Sequence, residues 1–134
     1  MITLPKSKDE IIVVVHPWCF TYAPDILAQF DNAGLRLKER VVERVPSESI
    51  RKHYSFHQGQ PYFEPLVKAI TGRPVRVAHY LGDYDVFTDL KLKVRERYNL
   101  RIQQVGTHVR AAVHASRNRD EFVNEILAWR EFLH

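Results

Sequence analysis

The chain has 134 residues, 20 Lys and Arg against 16 Asp and Glu, a net charge of +4 and a single cysteine. That length predicts one domain, 1–134, whose core is large enough to fold without staples. Cys19 alone permits neither an internal disulfide nor a cysteine zinc cluster, and the apolar runs are too brief for a leader or a membrane span, so the expectation is a cytoplasmic protein with no membrane partner.

Periodicity predicts a strand over Glu10–Val15, a helix over Pro24–Ala33 and a strand over Leu35–Val45. Two short helices follow, Ser47–Tyr54 and Tyr62–Ile70, the first with Ser47 as a cap but with Ile50 where a capping box needs Glu or Gln. A third strand is expected over Val75–Tyr80, a helix over Tyr84–Tyr98, a fourth strand over Ile102–Val109 and a last helix over Asn118–Phe132. This alternation predicts an α+β fold, a ferredoxin-like antiparallel sheet (β-α-β-β-α-β) with additional helices.

The chemistry concentrates around His114. The apolar stretch before it reads as the end of a buried strand, and the small polar stretch after it leads into a helix capped by Asn118, with Asp120 and Glu121 at its positive end. Phe122, Ile126 and Trp129 share one face of that helix, and Glu125 lies about two turns in. An imidazole that attacks phosphorus needs one ring nitrogen free and the other pinned, and a carboxylate such as Glu125 can pin it. From this segment alone, a histidine that merely caps a strand is the simpler reading.

Other constellations carry less. His53 and His57 stand one helical turn apart, the spacing of a metal pair, but no third ligand is evident, so no protein metal site is expected. Phosphate-binding glycine loops are absent, so any nucleotide is held by side chains. The basic run from Lys91 to Arg101 fits a solvated helical face and a phosphate-facing patch equally well; without interleaved aromatics it gives little support to nucleic acid as a partner. Trp18 and Trp129 read as packing anchors, and His79 and His108 as strand residues at the core rim or in a cleft.

Five pieces in order resemble the nucleoside diphosphate kinase family. Ile11 to Pro17 is similar to its first strand ending in Lys-Pro-Asp, and Ile26 to Leu35 to its first helix and closing glycine. His53 to Val67 is close to its His-Tyr, Pro-Phe-Phe, Leu-Val stretch, Thr71 to Val75 resembles Ser-Gly-Pro-Val, and Arg110 to Glu125 resembles Arg-Asn-x-x-His-Gly-Ser-Asp-Ser with its following glutamate.

The resemblance implies transfer of the γ-phosphate of a nucleoside triphosphate to a nucleoside diphosphate through phosphorylated His114, with Mg2+ carried on the nucleotide phosphates. It implies that Ser116 and Glu125 orient His114, that Tyr54 is the active-site tyrosine, and that His16, Tyr62, Leu66, Arg101 and Arg110 bind nucleotide, Tyr62 as the plate under the base. It also implies a homo-oligomer, a dimer or higher.

The departures are equally specific. His16 stands where the family has a phosphate-contacting lysine; it is mostly uncharged at neutral pH, although a bound phosphate could raise it. Ala111 replaces an asparagine that holds the ribose, Gln60 lies where an arginine is expected, and Leu90 falls near another phosphate arginine. Between Lys91 and Arg101 there is no room for the family's long loop, which contributes to the nucleotide pocket and to the trimer contacts of its hexamers. Each lost charge-assisted phosphate contact costs about 1.5–3 kcal/mol, enough together to impair the enzyme. The alternative is a non-catalytic nucleotide-binding or assembly module of the same fold.

Overall fold

The computed structural model describes residues 9–99 and 111–133. The expectations on Arg101, Arg110, His108 and a strand at 102–109 lie outside these residues.

The first strand, β1 (Asp9–Val15), is apolar on both faces and runs through the middle of the sheet. Ile11, Val13 and Val15 enter one core; Ile12 and Val14 enter another on the opposite face, as the two-residue period of a strand requires. A 3-10 turn at Pro17–Tyr22, opened by its proline, leads into α1 (Ala23–Ala33). Gly34 closes α1 where a Cβ would meet the Leu81 carbonyl oxygen at 2.5 Å, so only glycine lets the chain turn into β2 (Leu35–Val42).

β2 ends three residues earlier than expected because Val45 leaves the ladder. Its amide donates to the Arg73 carbonyl and its own carbonyl accepts from Gly72, so the turn after α3 captures it. Next come α2 (Ser47–His53) and α3 (Phe63–Ile70). Ser47 does not cap α2: Pro46 holds that position in extended geometry, which suits a residue that cannot donate there.

β3 (Val75–Gly82) pairs antiparallel with both β1 and β2. It is followed by α4 (Tyr84–Asn99), β4 (Val113–Ala115) and α5 (Arg119–Trp129), the last running into a 3-10 turn at Arg130–Phe132. Among the described residues the strands form one antiparallel sheet in the order β2-β3-β1-β4, the α+β arrangement expected. The core of α1 and α4 covers one face and that of α2, α3 and α5 the other. Trp129, fully buried in the second core, anchors α5; burial of a large apolar side chain contributes about 1.5–3 kcal/mol. No described helix is long and apolar enough to cross a membrane.

The main correction concerns the fourth strand. His114 stands within a strand, in the middle of β4 and opposite Val14 of β1, and not just past a strand's end. Three short residues of β-ladder suffice because Val113 and Ala115 are fully buried and Ser116 continues the pairing through its amide to the Ile12 carbonyl at 3.1 Å.

Candidate active site

Strand alternation decides where His114 looks. Val113 and Ala115 turn into the core of α1 and α4, so His114 faces the layer of α2, α3 and α5. There its Nε2 lies 2.8 Å from Glu125 Oε2. The pair is close but not aligned as a hydrogen bond, and Nε2 is buried, so the contact is electrostatic.

Glu125 is fixed at its other oxygen. The Ser116 hydroxyl donates to Oε1 at 2.6 Å and accepts from the Ile12 amide at 2.9 Å, which ties the carboxylate to the central strand. Asn118 caps α5 by accepting from the Glu121 amide, as expected from the sequence. Asn124, the residue before Glu125, donates to the Lys52 and His53 carbonyls at 2.7 and 3.3 Å and accepts from the Ser55 hydroxyl. That clamp sets the carboxylate beside the end of α2. Burial raises Glu125 above the usual carboxylic range and holds His114 below the usual imidazole range, with Lys91 and Arg95 pushing His114 the same way. His114 is therefore uncharged at neutral pH and keeps a nitrogen lone pair.

A second chain of bonds surrounds His16. Its Nδ1 lies 2.6 Å from the Ala111 carbonyl, which can only accept, so Nδ1 carries the hydrogen and Nε2 accepts from the Tyr54 hydroxyl at 2.5 Å. Trp18 stacks on the His16 ring at 5.0 Å and also donates to the Ala111 carbonyl, at 2.8 Å. Burial depresses His16 to about 3, against a smaller opposing effect of the Ala111 bond, so it is a neutral ring with both nitrogens committed.

His114 opens on a cavity of about 630 Å³. Trp18, Tyr62 and Leu66 supply apolar and aromatic wall, and the Tyr62 hydroxyl is held by His57 Nδ1 at 2.5 Å. Lys91, Arg95 and Arg117 supply positive charge. Arg95 donates through Nε to the Val113 carbonyl at 2.9 Å, which places its guanidinium next to the strand that carries His114. Burial, together with Arg95 and Arg117, lowers Lys91 to about 8. Burial pushes Glu121 up, but its bonds to Arg117 outweigh this and hold it ionised below its usual range.

The structure thus brings together His114, Ser116, Glu125, Tyr54, His16, Tyr62 and Leu66, while Arg101 and Arg110 lie outside the described residues. The sequence reading treated Lys91 and Arg95 only as part of a basic run, weighed His53 only as half of a metal pair and as part of the His-Tyr stretch, and overlooked Arg117. A signal existed for Lys91: it interrupts the buried stripe Phe87, Val94, Tyr98 at helical spacing, where a lysine is out of place unless it serves a cavity. Trp18, read as a packing anchor, is also cavity wall.

A family model described as nucleoside diphosphate kinase matches residues 10–131. A nucleoside diphosphate kinase of Haloquadratum walsbyi is 30% identical over 113 residues, covering 75% of this chain and 68% of that protein. One from Thermoanaerobacter sp. is 41% identical over 51 residues, and the match spans only 38% of the length of either chain. The Aquifex aeolicus nucleoside diphosphate kinase superposes with a TM-score of 0.70 at 20% identity, covering 90% of this chain and 93% of that one.

Proposed function

We propose, on the premise that the chain belongs to the nucleoside diphosphate kinase family, that it moves the γ-phosphate of ATP or another nucleoside triphosphate to a nucleoside diphosphate by way of a phosphohistidine at His114. The observation that carries this reading is the neutral His114 ring, with Nε2 against Glu125 and the residue lining a cavity that also carries Lys91, Arg95 and Arg117.

In the first half-reaction the His114 Nδ1 lone pair forms a bond to the γ-phosphorus as the bond to the β–γ bridging oxygen breaks, releasing the diphosphate with that electron pair. The ring becomes cationic, and its Nε2–H faces Glu125, which stabilises the charge. In the second half a terminal oxygen of the acceptor diphosphate attacks the same phosphorus and the P–N bond breaks, returning the pair to Nδ1. Ser116 holds Glu125 in place throughout.

Lys68, Lys91, Arg95 and Arg117 line the cavity and are the described cations available to the phosphates, because His16 has spent both nitrogens on Ala111 and Tyr54. His16 then acts by holding Tyr54 and the cavity rim. Tyr62 and Leu66 take the base, with Trp18 also on the cavity wall; an aromatic face accepts any base. Arg101 and Arg110 complete the set by family resemblance. Mg2+ would arrive on the nucleotide and would supply neutralisation of phosphate charge there, since Glu121 is taken by Arg117 and Glu125 by Ser116.

The reading extends to one domain over 1–134, to a reducing cytoplasmic setting that suits the buried free thiol of Cys19, and to a homo-oligomer. For the last, the support is β2, an edge strand with Leu35, Leu37 and Val41 exposed at 58, 44 and 48%. Light scattering on the eluting protein would give the subunit number, and a monomer would remove that part.

Incubation with γ-labelled ATP tests the core of the reading. Acid-labile, base-stable label that is absent in His114→Ala and passes to added diphosphate supports it; an unlabelled wild-type protein refutes it.

A further inference from the structure

His53 has no part in the transfer just described, yet it is buried at 3% exposure against His114 and near Glu125. Its Nδ1 lies 2.8 Å from the Trp129 indole nitrogen, which can only donate. Nδ1 therefore offers its lone pair to the indole, and the neutral ring keeps its hydrogen on Nε2. Among the described residues that Nε2 is buried with no hydrogen-bond partner. The His53 ring stands edge-on to His114, centroids 4.4 Å apart at 79°. One nitrogen of each ring and one Glu125 oxygen all lie within 4.8 Å of one another. An unsatisfied buried donor destabilises the fold, so its retention at this place calls for a reason.

Two imidazoles and a carboxylate would suit zinc by type. The Trp129 bond argues against it. A metal takes a lone pair, and the lone pair of His53 is directed at the indole; the other tautomer would set two N–H groups against each other across 2.8 Å.

We propose that His53 is a positioning residue for His114: its Nε2–H, fixed by Trp129, sets the positive end of an N–H dipole against the His114–Glu125 pair and, added to the effect of burial, makes the His114 ring harder to protonate. A protonated ring has no lone pair with which to attack phosphorus, so the role serves the proposed transfer, although the charge state of His114 can be read without any transfer.

The groups around His114 explain why an internal dipole matters. From α4, Lys91 and Arg95 oppose a proton on the ring; from α5, Glu121 and Glu125 favour one; His57, Tyr54 and His53 approach from α2 and the segment after it. Lys91 and Arg95 line the cavity, so a bound polyphosphate would neutralise them when the neutral ring is needed most. His53 is walled off behind His114, and its dipole persists with the substrate in place.

Long-range nitrogen–proton NMR of the histidine rings in the whole protein tests this. The expected result is Nδ1 of His53 bare and Nε2 protonated, with His114 neutral at pH 7. In His53→Phe the pH at which His114 titrates should rise by about one unit, and His53→Gln, whose amide N–H replaces Nε2–H, should restore most of it. Trp129→Phe leaves His53 in place but frees its tautomer, and should shift His114 the same way by less, which covers the case of a poorly folded His53→Phe. With labelled ATP, the acid limb of His114 labelling should move up with the titration and the KM for ATP should not. A hydrogen on Nδ1 of His53, an unmoved His114 titration, or Zn2+ shifting the His53 resonances would each overturn the proposal. Absence of label in the wild type would end the phosphotransfer reading but not this one, since the ring titration stands by itself.

Discussion

The Ser116 hydroxyl joins Glu125 to the central strand: it donates to Oε1 at 2.6 Å while accepting from the Ile12 amide at 2.9 Å. One small side chain thus satisfies two buried groups on different elements. Ser116→Ala would orphan both, at a cost of about 1–3 kcal/mol, and would let the carboxylate swing from His114. A lower urea midpoint together with slower labelling of His114 is expected. An unchanged midpoint would show that another donor holds Glu125.

Lys91 separates binding from stability. It is buried to 4% exposure and forms no ion pair among the described residues, so Lys91→Met removes a charge that burial disfavours and should leave the thermal midpoint equal or higher. The same change should weaken ATP binding roughly ten- to a hundredfold, the equivalent of one charge-assisted contact. In the wild type the unbound lysine loses its proton above about 8, so ATP affinity should fall as pH rises through that value. Calorimetric titration across that range reads both effects, and pH-independent affinity would remove Lys91 from the phosphate site.

His16 makes the fold acid-sensitive in a defined window. Burial holds the folded ring near 3, whereas the unfolded ring takes a proton near 6.5. Its stabilisation is complete above 6.5 and is lost as pH falls toward 3, at about 1.4 kcal/mol per pH unit for each such ring. His16→Phe should start less stable, since Tyr54 and Ala111 lose their partner, yet show a shallower decline over that window in urea titrations. Equal slopes would mean that His16 is protonated in the fold.

Asn118→Ala removes the cap of α5 and should cost about 0.5–2 kcal/mol. Because α5 carries Glu125, the loss should be accompanied by slower His114 labelling; full labelling at normal rate would show that the clamp of Asn124 on α2 alone suffices.

Much of this was legible in the chain. Strand and helix periods marked β1, α1, α3 and α5, because each presents a continuous apolar face, and the Asn118 cap and Glu125 could be placed by counting from it. Boundaries set by long-range bonds could not be read locally: β2 stops because Val45 pairs with the turn at Gly72 and Arg73, residues far along the sequence. His114 was placed past a strand and not within one because β4 needs only three residues when Ser116 and β1 complete its ladder. Glu125, Ser116 and Tyr54 were found through their resemblance to a known pattern. Lys91 and Arg95 were merged into a charged run and His53 was read as half of a metal pair, since nothing in their own neighbourhood says that α4 from one face of the sheet and His53 from the other both reach His114. His16 was marked as a substitution, but the bonds that occupy its two nitrogens come from Ala111 and Tyr54, 95 and 38 residues away.

The Ala111 carbonyl receives both His16 and Trp18. Because that acceptor belongs to the main chain, every amino acid brings it to position 111, and the identity of the side chain there is released from the task of bracing the rim. Exchanges at 111 can thus accumulate without loosening the histidine and the indole, whereas a change at either donor breaks a link that no replacement at 111 can mend.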